Sequence, residues 1–91
     1  MFDFDLSDEL RLKIKKLLRK DKKKVDIINK KIKQIINCDS ESINHYKNLR
    51  HELKELKRVQ IDNHFVLTFK VDVKNNFILF TDFDHHDNIY R

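Results

Sequence analysis

The chain has 91 residues and contains neither glycine nor proline. Every reversal of direction must be made by residues that carry a Cβ, and positive φ is costly for nearly all of them. Asparagine and aspartate tolerate that region because their short polar side chains hydrogen-bond locally. Turns are therefore expected at Asn, Asp, Ser or Lys, with Asn75-Asn76 the best candidate. The same absence excludes a Walker loop and a dinucleotide-binding fingerprint, both of which require glycines against the phosphates.

Between those turns the apolar residues are periodic. Phe2, Phe4 and Leu6 alternate with Asp3 and Asp5, the pattern of a half-buried strand. Ser7 reads as a helix N-cap, with Asp8 and Glu9 in the first turn, where the helix dipole favours them. Leu10, Ile14, Leu17 and Leu18 follow at helical spacing. Asp21 reads as the cap of a second helix, whose apolar stripe is Val25, Ile28, Ile32, Ile35 and Ile36. Helices are expected near 8–20 and 22–36, and the polar stretch Asn37 to Ser42 should end the second. Ile43 to Leu49 leaves room for a short helical turn.

Val59 and Ile61 open a second strand. Phe65, Leu67, Phe69 and Val71 alternate with Val66, Thr68 and Lys70 in a third. Phe77 to Phe83 is apolar on both faces, so this fourth strand should be central. It joins the third through Lys74-Asn75-Asn76 as a hairpin. The order β-α-α-β-β-β implies an α+β fold, a four-stranded mainly antiparallel sheet with a helical hairpin packed on one face. Residues 1–91 should form a single domain. Its core is expected to bury Phe4, Leu10, Ile14, Leu17, Ile28, Ile32, Ile35, Leu67, Phe69, Leu79 and Phe80.

The formal net charge is +5, a balance that favours polyanions such as RNA or DNA, or an acidic protein. Lysine-rich helix faces are also simply solvated. Cys38 is the lone cysteine, so no intramolecular disulfide is possible, and a reducing compartment is implied. No segment approaches the ~20 apolar residues of a membrane span. The acidic start, with Asp3 and Asp5, does not read as a signal peptide. No membrane contact is expected, and the cytoplasm is the default location.

Four of the five histidines, His51, His64, His85 and His86, lie in the half of the chain that carries the strands. Histidine moves protons in either direction near neutral pH. RNA carries its own nucleophile, the 2′-hydroxyl. Cleaving it requires a base for that hydroxyl, an acid for the leaving 5′-oxygen and cations for the phosphate, and it requires no metal. His86, His64, His85 and His51 are the candidate acids and bases. Arg50, Lys54, Lys57 and Arg58 are the candidate cations, and Tyr90 can stack on a splayed base. Asp82, Asp84, His85, His86 and Asp87 are metal-capable types. Adjacent residues of an extended chain point to opposite faces, however, which argues against one ion shared by His85 and His86. No cofactor is implied.

Residues 46–90 resemble the C-terminal half of the RelE/ParE superfamily of toxins, closest to its YafQ-like branch. The resemblance is carried by Tyr46-Lys47, His51-x-Leu53, Lys57-Arg58, Asp62 to Phe65, Phe65-x-Leu67 and His86-x-x-x-Tyr90. It implies an mRNA interferase, an endoribonuclease that cuts mRNA in the ribosomal A site without a metal. It also implies a cognate antitoxin, often acidic and partly disordered, and a toxin–antitoxin hetero-oligomer. By the same resemblance His86 is the principal general acid or base, Tyr90 holds the RNA, and His51 is the histidine before the strands. Two positions depart from the pattern. A family histidine is Gln60 here, which cannot transfer protons, and a family acidic residue is His64, which could supply that missing function. Asp62 is then left to orient a neighbour, and the family's glycine near the second strand is absent. ParE-like members poison gyrase instead, and an inert relative would only bind antitoxin or RNA.

Overall fold

The computed structural model describes residues 1–49 and 55–89. β1 (Asp3–Leu6) leads into α1 (Asp8–Lys20) and α2 (Lys22–Ile36), followed by the single turn α3 (Ser40–Ile43). Then come β2 (Lys57–Gln60), β3 (Phe65–Asp72), β4 (Phe77–His85) and the single turn α4 (His86–Ile89). The strands form one sheet in the order β1-β4-β3-β2. β1 runs parallel to β4, and the other two pairings are antiparallel.

Local chemistry sets these boundaries. Ser7 Oγ accepts from the N–H of Leu10 at 3.1 Å and starts α1. Asp21 ends α1 through its N–H, 2.7 Å from the Leu17 carbonyl. Its carboxylate then caps α2 by accepting from Lys24 N at 3.1 Å. One residue without helical dihedrals therefore makes the corner of the hairpin. Asp39 caps α3 in the same way. The β3–β4 turn closes at Asn76, the one described non-glycine residue with positive φ, at 54°. Asp72 holds Asn75 there through both its main chain and its side chain.

The core lies between the helical hairpin and one face of the sheet. Leu10 of α1 and Ile28, Ile32, Ile35 and Ile36 of α2 pack with Leu67 and Phe69 of β3 and Ile78, Phe80 and Phe83 of β4. Ile14 and Leu17 lie half-buried against it. Leu79, opposite Lys70, is half-buried on the other face.

Of the expected core, Phe4 fails at the margin. Phe4 is exposed, at 45%, and Phe2, just before β1, is the buried phenylalanine of this segment. Both rings sit on the predicted face, but β1 is an edge strand. Phe4 meets Phe80 edge-on at 6.1 Å and borders an open groove of about 700 Å³ between β1 and α2. Phe2 lies where its own N–H reaches the last turn of α2, 2.7 Å from the Ile36 carbonyl. Leu18 is likewise exposed, at 49%, because it follows Leu17 around the helix and leaves the core stripe. Element bounds differ slightly too. β2 starts at Lys57 and stops before the buried Ile61, and β4 extends to His85. The fourth strand thus takes in Asp84 and His85 beyond the expected end at Phe83.

Candidate active site

The turn between β2 and β3 is organised by Asp62. Its Oδ1 accepts the N–H groups of His64 (2.8 Å) and Phe65 (2.9 Å), while Ile61 N donates to the Phe65 carbonyl (2.9 Å). An aspartate that binds the main chain two and three residues ahead makes a tight turn without glycine. The turn is anchored to α2 by Lys24. That ammonium lies 3.4 Å from Asp62 Oδ2 and 3.9 Å above the centre of the Phe65 ring. Burial pushes the Asp62 carboxyl up, but the N–H groups of His64 and Phe65 and the Lys24 charge outweigh it. The result lies below the usual carboxylate value. His64 stands exposed at the outer end of this turn.

Opposite it, β4 carries one extra residue. The register runs Phe69↔Phe80 and then Thr68↔Asp82, so Thr81 has no partner of its own. A bulge of this kind shifts the inward set of side chains by one position. Ile78 and Phe80 face the core before the bulge, and Phe83 faces it after. His85 pairs with Phe65 and falls on the same face as Phe83. The bulge is fixed by hydroxyls: Thr68 Oγ1 and Thr81 Oγ1 are 2.7 Å apart, and Ser7 Oγ donates to the Thr81 carbonyl at 2.6 Å.

Three histidines meet at this end of the sheet. The rings of His64 and His85 stack with centroids 5.7 Å apart, and the Phe65 ring meets His85 edge-on at 5.5 Å. His86 N donates to the His64 carbonyl at 2.6 Å, which seats His86 beside the turn as the chain enters α4. Asp87 serves both neighbours. Its N–H donates to His85 Nδ1 at 3.3 Å, and its carboxylate lies 3.7 Å from His85 Nδ1 and 3.8 Å from His86 Nδ1.

The other sequence candidates lie elsewhere. Lys57 pairs with Phe69 and Arg58 with Thr68, about 13 and 10 Å along the ladder from the Phe65 end at ~3.3 Å per residue. Lys57 Nζ donates to the Tyr46 carbonyl (3.1 Å) and to Asn48 Oδ1 (3.0 Å), holding the 46–49 segment, and burial lowers its affinity for the proton. Arg58 sits on the face of Thr68, turned away from the helices. Gln60, opposite Val66, is exposed on that same face. His45 lies apart, beside Cys38, Ser42 and Tyr46. His51, Arg50, Lys54 and Tyr90 lie outside the described residues.

Sequence reading missed Lys24 and Lys13. Lys24 looks like any other lysine on α2, because its partners Asp62 and Phe65 are remote in the chain. Lys13 was equally anonymous, yet its ammonium donates to Asp82 Oδ1 (2.7 Å) and Asp84 Oδ2 (3.2 Å). The alternation of Asp82 and Asp84 along a strand was the available signal, since it places two carboxylates on one face.

Chemically, the end of the sheet offers several imidazoles within one small solvent-open area, a carboxylate between two of them and a rigid aromatic floor. That set can donate and accept protons and can stack on a planar group. The β-α-α-β-β-β fold that carries these residues has counterparts among solved structures. The fold matches that of YafQ from E. coli with a TM-score of 0.74 over the whole of both chains, at 16% identity. It matches a chain of the heterotetrameric YoeB–YefM toxin–antitoxin complex from Staphylococcus aureus with a TM-score of 0.73, at 25% identity, over 94% of this chain and 98% of that one. These are toxin folds. In sequence, the chain is 46% identical over 91 residues, all of its length and 93% of the relative's, to the Methanocaldococcus jannaschii protein named "Putative toxin RelE4". No protein-family model matches it. The chain belongs to the RelE superfamily of toxins. Among the described residues no helix is long and apolar enough to cross a membrane.

Proposed function

We propose that this chain is the toxin of a type II toxin–antitoxin system and acts as a ribosome-dependent mRNA interferase. The observation that carries this reading is the meeting of His64, His85 and His86, from two distant segments, at one solvent-open end of the sheet. Two imidazoles of suitable protonation suffice for 2′-hydroxyl attack on an adjacent phosphodiester. One removes the proton of the 2′-hydroxyl and the other protonates the leaving 5′-oxygen. His86 exchanges a proton with the reacting RNA. His64 is its partner or contacts the phosphate, and His85, stacked on His64 and edge-on to Phe65, contacts the RNA. His51 and Tyr90 take the supporting roles that the family pattern gives them. The products are a 2′,3′-cyclic phosphate or 3′-phosphate and a 5′-hydroxyl, and no metal takes part.

The partners follow from the same reading. The mRNA is presented in the ribosomal A site, and a cognate antitoxin binds and silences the toxin, as YefM pairs with YoeB in the similar complex. The net charge of +5 suits both a polyanion and an acidic antitoxin. The exposed Gln60 favours a second reading, a catalytically weak relative that binds antitoxin or RNA, because glutamine cannot transfer a proton.

In vitro translation of a defined message separates the two. Cutting that needs ribosomes, persists in EDTA and stops on 2′-deoxy substitution at the cut site is expected. Intact message at saturating toxin supports the weak relative, and cutting that stops with chelator and returns with a divalent ion overturns the histidine mechanism.

A further inference from the structure

β1 accompanies β4 only as far as the Leu6↔Phe80 pair, and Ser7 N closes that edge on the Phe80 carbonyl at 2.9 Å. Beyond it the edge groups of β4 require other partners. The N–H of Phe83 is taken by Asp82 Oδ1 at 2.8 Å, and that of His85 by Asp84 Oδ1 at 2.7 Å. Lys13 reaches in from α1 and donates to Asp82 Oδ1 (2.7 Å), Asp84 Oδ2 (3.2 Å) and the Phe83 carbonyl (3.3 Å). Asp84 Oδ1 also accepts from Asn88 Nδ2 at 2.9 Å, inside the turn that begins with His86. One carboxylate therefore ties together a strand end, a helix and the turn that carries His86.

We propose that Asp84, braced by Lys13, is a positioning residue that fixes the His86 turn in its reactive orientation. The inference rests on the reading of His86 as a proton-transfer group. A lone helical turn has no stability of its own in water. His86 is exposed, and its main chain is anchored on one side at the His64 carbonyl. The Asp84–Asn88 bond closes the other side. The two oxygens divide the work, Oδ1 taking the two N–H donors and Oδ2 the ammonium, so the carboxylate cannot rotate without losing a bond. The Asn88 amide holds the Asp84 carboxyl below the usual carboxylate range. Burial opposes that, and the His85 N–H and the Lys13 charge add to it. The anion that all these donors require is thus the form present at neutral pH. Acid–base catalysis needs such fixing, because a displacement of an angstrom at the reacting groups costs about 10²-fold.

Asp84→Ala, Asp84→Asn, Asn88→Ala and Lys13→Gln test it, with Lys15→Gln on α1 as a charge control. Message cleavage on stalled ribosomes is measured against toxin concentration, and amide hydrogen exchange is followed in the free proteins. Asp84→Ala should lower the saturating cleavage rate about 10²-fold with the half-saturating concentration unchanged. Asp84→Asn, which keeps one acceptor oxygen, should recover part of the rate. In a His86→Ala background Asp84→Ala should have no further effect, because the group it positions is gone. Exchange should quicken at Asn88 and Ile89 while the amides of β3 keep their protection. Two single effects that multiply in the double variant, or a change confined to the half-saturating concentration, would overturn the proposal. If Asp84→Ala loosens the core as well, Asn88→Ala carries the same test without touching β4. If the wild type cuts nothing, the cleavage reading fails by itself. Unchanged exchange at Asn88 and Ile89 then overturns the brace, and quickened exchange supports it.

Discussion

His64 and His85 stack their imidazoles 5.7 Å apart and within 11° of parallel, one from the β2–β3 turn and one from the last position of β4. His85 also meets Phe65 edge-on, and Phe65 itself stacks on Phe83 at 5.1 Å. Neither histidine is near the other in sequence, so the contact depends on the register of β3 against β4.

That arrangement ranks the histidines. His86→Ala should lower message cleavage by ~10²–10⁴-fold, the usual worth of a general acid or base, with ribosome binding and fold nearly unchanged. His64→Ala should fall between this variant and the wild type, since Gln60 leaves no other proton-transfer group at that position. His45→Ala, away from the site, should change little. Equal losses for His45→Ala and His86→Ala would show that the site is misassigned.

Acid should weaken the same region. Asp62 and Asp84 are both held below the usual carboxylate value, Asp62 by its turn N–H groups and Lys24 against burial, Asp84 chiefly by Asn88. A carboxylate with a depressed folded pKa contributes stability that is fully present above its unfolded value, near ~4. That contribution is lost as pH falls from there through the lower folded values. Thermal unfolding followed from pH 7 to about pH 2 should show the midpoint drop mainly below that unfolded value. Asp62→Asn should flatten that drop, and an unchanged pH profile in this variant would remove Asp62 from the account.

Much of the frame was legible because it is local. Ser7, Asp21 and Asn76 act at the positions their chemistry suggests, and the helical stripe of α2 is the stripe that is buried. What escaped was set by tertiary context. The alternation over residues 2–6 grouped Phe2 with Phe4, but nothing in it revealed that β1 is an edge strand with a groove beside Phe4. The apolar run of β4 concealed the bulge at Thr81. Without it, strict alternation from Ile78 and Phe80 would place Asp82 and Asp84 inward, and Phe83 and His85 outward. Of the site, the histidines were visible as a collection. The cations Lys13 and Lys24 were hidden among chemically identical neighbours on the two helices.

The core can be tested at Leu67, which is fully buried between the hairpin and the sheet. Leu67→Ala should cost ~2–5 kcal/mol in urea unfolding, the range for a buried leucine whose cavity relaxes incompletely. A cost under about 1 kcal/mol would mean that the hairpin does not close on this face of the sheet.

The two described cations of the second strand should separate in their effects. Arg58 lies at the face turned from the helices, on the row of Thr68 and Asp82. Lys57 is engaged with the Tyr46 carbonyl and Asn48 Oδ1, and its neighbour Tyr46 packs edge-on against Phe69 of the core. Removing the Lys57 ammonium therefore takes a donor from the Tyr46 carbonyl and Asn48 Oδ1 and loosens the 46–49 segment, whatever it does to RNA. If Arg58 holds a phosphate, Arg58→Gln should reduce the log–log salt slope of RNA or ribosome affinity by about one. Lys57→Gln should instead lower the unfolding midpoint and speed amide exchange at Leu49, whose N–H bonds the Leu56 carbonyl at 2.8 Å, with a smaller change in slope. Equal slope changes would place both lysine and arginine on the RNA. No slope change in either variant would leave this strand a solvated face and move the phosphate contacts to other cations.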